Sequence, residues 1–114
     1  MNKKDIDEIK NKYEEIKEEF YSNNNISNIK KNIDLKNGCD KYYIIKEIIN
    51  TISIFEKNIS NIDYIIDKIY FLHEEKNENF IILYYDLKIF FDDFKKTYEL
   101  IDFQIKNIFD KFNM

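Results

Sequence analysis

The chain has 114 residues and a formal net charge of −4, from 22 acids against 18 basic residues that are all lysine. The lysines are spread through every segment and no arginine fork is present for phosphates or bases, so direct nucleic-acid binding is not expected. The longest unbroken apolar run, Phe80 to Tyr85, is six residues, far short of the roughly twenty that span a bilayer, so no membrane segment is expected.

The length fits one domain, 1–114, with a modest core. Proline, alanine, valine and tryptophan are also absent and Gly38 is the single glycine, so few, long elements are expected, separated by Asn, Ser and Asp clusters. The bias towards Ile, Lys, Asn, Tyr and Phe is of the kind an AT-rich genome imposes. Cys39 has no second cysteine to pair with, and the start MNKKDIDE lacks an apolar targeting core; a reducing, cytoplasmic setting follows as the expectation. Two Asn-Ile-Ser sequons, at Asn25 and Asn58, carry no weight without a secretory signal.

Apolar residues recur at alternating spacings of three and four, which gathers them on one seam of a helix. Ile6, Ile9, Tyr13, Ile16 and Phe20 define a first helix that is otherwise heavily charged. The pattern stops at Tyr21 to Asn25, a kink or loop, and Ile26, Ile29 and Ile33 support a second helix of about three turns. Lys36-Asn37-Gly38 is a helix stop, since glycine tolerates the left-handed conformation that closes a helix, and Asp40 is placed to cap the next one. Ile45, Ile48, Ile52, Phe55, Ile59, Ile62, Ile66 and Ile69, continuing to His73, predict one long helix over about 41–75. A charged turn follows at 74–79. Phe80, Tyr84, Leu87, Phe91, Phe94, Tyr98, Ile101, Ile105, Ile108 and Phe112 then predict a last helix of matching length.

The short connection makes the two long helices an antiparallel hairpin with its tip near 76–78. The 4–36 segment is expected to lie along the hairpin and cover its seam. The predicted fold is all-α: an elongated antiparallel three- to four-helix bundle with coiled-coil-like heptad packing. In outline the periodicity resembles spectrin-type and SNARE-regulatory three-helix bundles, a likeness that implies a fold and not a function.

Candidate chemistry is sparse. His73 is the one histidine and could titrate near neutrality, but it ends an apolar seam with no Ser or Cys at helical spacing, so a packed boundary ring is expected. Cys39 could be activated by a following helix N-terminus, yet lacks a histidine or second thiol nearby in sequence. The Glu-x-x-His element of ferritin-like bundles is missing, because Tyr70 stands three residues before His73. Glu14-Glu15-Ile16-Lys17-Glu18 and Glu99-Leu100-Ile101-Asp102 resemble the paired acidic elements of MazG-type nucleotide pyrophosphatases. That likeness would imply magnesium held by Glu15, Glu18, Glu99 and Asp102, although some eighty residues separate the two elements here. No cofactor and no metal are expected.

The residues that break the pattern are apolar side chains at outward positions. In the heptad register, Tyr43, Tyr64 and Phe71 fall at f on the third helix; Ile82, Ile89 and Phe103 fall at f on the last, with Tyr85 at b. Such residues either widen the core or form an exposed patch that binds something. Tyr64, Phe71, Ile82, Tyr85 and Ile89 are therefore the candidate protein-interaction residues, expected to share a neighbourhood near the hairpin tip. The expected function is a non-enzymatic module that forms a homodimer or docks on another protein. Alternatives are a phage or viral inhibitor of a host defence protein, similar in type to anti-CRISPR proteins, the MazG-like pyrophosphatase, and a structural coiled-coil subunit.

Overall fold

The computed structural model describes residues 2–31 and 40–112. These form an all-α bundle of four helices, α1 (Lys3–Ser22), α2 (Asn24–Lys31), α3 (Asp40–Glu74) and α4 (Phe80–Phe112). Expectations attached to Ile33, to Lys36-Asn37-Gly38, to Cys39 and to the Asp40 and Phe112 side chains lie outside what is described. The molecule is elongated, 56 × 20 × 18 Å, because α3 alone has 35 residues and rises about 52 Å.

α1 begins where two side chains satisfy each other's backbone. The Asn2 side chain accepts from the Asp5 amide and the Asp5 carboxylate accepts from the Asn2 amide, both at 3.2 Å, closing a capping box. The break after Ser22 is a single residue. Asn23 adopts an extended backbone, donates its amide to the Phe20 carbonyl, and offers its own side-chain oxygen to the amides of Asn25 and Ile26 at 2.9 and 3.3 Å. One asparagine thus closes α1 and opens α2. The loop expected over 22–25 is shorter than its composition suggests, since Asn24 and Asn25 already belong to α2. The chain also turns there. A straight continuation would carry Lys30 about 15 Å beyond Phe20, yet its ammonium lies 5.9 Å from the Phe20 ring and 2.9 Å from Glu56.

The predicted seams are the core. Every seam residue from Ile45 to Ile69 on α3 is buried, as are Ile6, Tyr13 and Phe20 on α1 and Leu87, Phe91, Phe94, Ile101, Ile105 and Ile108 on α4. Aromatic rings meet at one level of the bundle. Phe55 stacks on Phe94 at 4.4 Å between centroids, Phe20 approaches Phe55 at 4.5 Å, and Tyr13 approaches Phe94 at 5.1 Å. Side chains from α1 and α4 therefore pack around one ring of α3, Phe55.

The hairpin turns in a Schellman arrangement. The Asn77 amide bonds the Leu72 carbonyl at 2.9 Å and the Lys76 amide bonds the His73 carbonyl at 3.1 Å. Lys76 occupies the left-handed position usually given to glycine, with φ of 56°. α1 packs antiparallel to α3 and parallel to α4, as the pairs Asp7–Tyr70, Tyr13–Asp63 and Tyr13–Phe94 show. Among the described residues no helix is long and apolar enough to cross a membrane.

Candidate interaction surface

A helix can bury one stripe and must leave the opposite one to solvent or to a partner. On α3 the inner stripe is the isoleucine seam, and the flank at Asp63 and Tyr70 is taken by α1. Tyr64 and Phe71, on the far side, are 67 % and 56 % exposed; on α4, Ile82, Tyr85 and Ile89 are 63, 59 and 64 % exposed. None of these five side chains is part of the core. Tyr43 and Phe103 are exposed in the same way, so the outward register holds along both arms.

The α3 pair frames a shallow open groove of about 320 Å³ whose lining is Tyr64, Asp67, Lys68 and Phe71, with the Lys68 ammonium 5.9 Å from the Phe71 ring. One heptad separates the two rings, and a charged pair fills the turn between them. Ile82, Tyr85 and Ile89 do not contribute to this groove. On α4, Lys88 lies over the Tyr84 and Tyr85 rings at 5.4 and 6.0 Å, a stem covering apolar surface while its charge stays wet. The shared neighbourhood expected at the hairpin tip is thus not formed by this groove, which belongs to α3 alone. A second hollow of about 260 Å³ lies between α1 and α4, where Lys12, Lys88 and Lys95 face Asp5, Glu8 and Asp92. Its charges oppose one another, so it presents no net electrostatic preference.

The flank covered by α1 has its own chemistry. The Tyr13 hydroxyl donates to Asp63 Oδ1 at 2.6 Å, and Lys17 reaches the same carboxylate at 3.3 Å. The Tyr70 hydroxyl donates to Asp7, and the Glu19 carboxylate lies near Tyr98. Burial first, then the neighbouring carboxylate, raises all three phenols: Tyr70 and Tyr98 to about 12, Tyr13 well above the ordinary tyrosine range. The hydrogen bonds fasten α1 to α3, while the Tyr13 ring packs against Phe94 of α4. They were not anticipated from the sequence, where Tyr70 and Asp63 stand beside the seam with nothing to mark which helix would face them.

His73 is half-buried with its ring edge-on to Phe80 at 5.1 Å, a packed boundary ring. Glu15, Glu18, Glu99 and Asp102 are exposed. α1 does bring Glu19 to Tyr98, so distance in sequence does not keep the two acidic elements apart; yet Asp102 pairs with Lys106 at 3.4 Å. Among the described residues no three His, Cys, Asp or Glu side chains gather where an ion could be held. Ile54 and Leu100, at c positions, are also exposed, 57 % and 47 %; the same register count that singled out f and b would have found them.

Comparison with known proteins finds no family, no curated protein and no solved structure that matches this chain.

Proposed function

We propose that this protein is a non-enzymatic interaction module, working in a cytoplasmic setting, that self-associates or docks on another protein through the outward apolar side chains of its hairpin. The observation that carries this reading is the exposure of Tyr64, Phe71, Ile82, Tyr85 and Ile89, each more than half open to solvent on helices whose cores are complete without them. Burying a large apolar side chain contributes roughly 1.5–3 kcal/mol, so a few such anchors can dominate an interface.

The test is the double substitution Phe71→Asp with Tyr85→Asp. The helical circular dichroism signal and the melting temperature are expected to persist, because neither side chain holds the core. Light scattering and pull-down from the native lysate are expected to show lost association. Unchanged association in that variant would remove these residues from the interface.

A further inference from the structure

We propose that the outer face of α3 binds a second copy of itself, antiparallel, about a twofold axis at Lys57. This rests on the interaction reading above and names the occupant of the α3 face.

The argument is one of charge and register. Along the exposed face of α3 the only charged residues at b, c and f between Tyr43 and Phe71 are Lys46, Glu47, Lys57, Asp67 and Lys68. None of these five forms an ion pair with another described residue, although α4 does pair its own surface charges at Asp92–Lys96 and Asp102–Lys106. Lys46 and Lys68 lie instead over the rings of Tyr42 and Phe71.

In an antiparallel pair with its axis at Lys57, residues whose numbers sum to about 114 lie level, and like flanks of the two helices face each other. Tyr43 then meets the partner's Phe71, and Asn50 meets the partner's Tyr64. On the b flank Lys46 approaches the partner's Asp67; on the c flank Glu47 approaches the partner's Lys68. Both opposite-charge pairs form in one register, and the twofold repeats each. The groove between Tyr64 and Phe71, with Asp67 and Lys68 between the rings, receives the turn of the partner that carries Tyr43, Lys46 and Glu47. Lys57 meets its own copy on the axis, the one like-charge approach in the arrangement.

The contact runs about 42 Å along a helix roughly 10 Å wide, so it buries on the order of 800 Å² in total. That is below the roughly 1,200 Å² of a stable interface, and the dimer dissociates on dilution. Its ion pairs are exposed and weaken with salt.

Sedimentation velocity of the full chain, from about 5 to 500 µM in low salt, reads the equilibrium. A concentration-dependent dimer is expected. Glu47→Lys and Lys68→Glu each place like charges together twice and should weaken it roughly tenfold or more. The combined Glu47→Lys/Lys68→Glu chain restores opposite charges in the same register and should recover most of the loss, while Lys57→Ala should tighten the dimer. A chain monomeric throughout the range overturns the second copy as occupant. A dimer indifferent to the single reversals, or not rescued by the swap, overturns the register. In either case the broader interaction reading stands or falls separately, on the Phe71→Asp/Tyr85→Asp pull-down.

Discussion

Tyr13 crosses from α1 to α3 and donates its hydroxyl to Asp63 Oδ1 at 2.6 Å, with the Ile59 carbonyl oxygen also within reach at 3.1 Å. The ring beneath that hydroxyl is fully buried against Phe94, so one side chain joins α1 to both arms. Tyr13→Phe keeps the packing and removes the hydrogen bond. Because the Asp63 side chain is 42 % exposed and can be rehydrated, the expected loss is about 1.5 kcal/mol, at the low end for a bond to a charged acceptor. Lys17→Ala, which breaks a part-buried ion pair, should cost less, no more than about 1 kcal/mol. Urea unfolding of the two variants checks the order; a larger loss for Lys17→Ala would contradict it.

Tyr70 and Tyr98 have folded-state values pushed up to about 12 from the ordinary 10.0, and Tyr13 is raised further. A group whose folded value is raised contributes stability that is complete below the unfolded value and is lost as pH rises through the folded one. The melting temperature should therefore be insensitive to these phenols below pH 10 and fall between about 10 and 12. Absorbance titration of the phenolates should show a late-ionising subset, and Tyr70→Phe should remove part of it. If all tyrosines ionise together near the ordinary value while the chain stays folded, neither the Asp7 hydrogen bond nor the neighbouring Glu19 carboxylate acts on these phenols.

Phe55 is fully buried and packs against Phe94, Phe20 and Tyr98 at 4.4, 4.5 and 5.7 Å. Phe55→Ala opens a cavity among rings from three helices, and about 3–5 kcal/mol of stability should be lost. Tyr64→Ala, on the exposed face of the same helix, should change stability by no more than about 0.5 kcal/mol. Thermal melts at a concentration low enough to keep the chain monomeric separate the two.

Lys76 holds a left-handed backbone at the hairpin turn. That conformation costs a side chain with a Cβ about 1–2 kcal/mol, partly offset by the greater freedom glycine gains on unfolding. Lys76→Gly should stabilise the protein by about 0.5–1 kcal/mol and raise its melting temperature by a few degrees. A lower melting temperature would show that the lysine side chain contributes more than its backbone strain removes.

EDTA should leave the melting temperature unchanged, since the described carboxylates do not converge on one point. A fall of several degrees would mean that an ion is held, with Glu15, Glu18, Glu99 and Asp102 the first residues to substitute.

The three-four spacing of apolar residues by itself determined that the chain is helical and which stripe of each helix turns inward. A helix repeats every 3.6 residues wherever it is placed, so Ile45 to Ile69 had to share one face and Tyr64 and Phe71 the opposite one. The tip of the hairpin was equally legible, because the charged stretch between two seams has no apolar residue to bury. What the spacing could not contain is the position of one helix against another. That Tyr13 meets Asp63, that Asp7 meets Tyr70, and that Phe20, Phe55 and Phe94 pack at one level depends on axial offset and rotation between helices. Those are chosen by the summed packing of whole faces, and no local repeat records them. The same limit applies at Asn23, whose backbone and side chain close one helix and open the next; its neighbours Asn24 and Asn25 have the composition of a loop yet form the first turn of α2, with the Asn25 amide held by the Asn23 side chain.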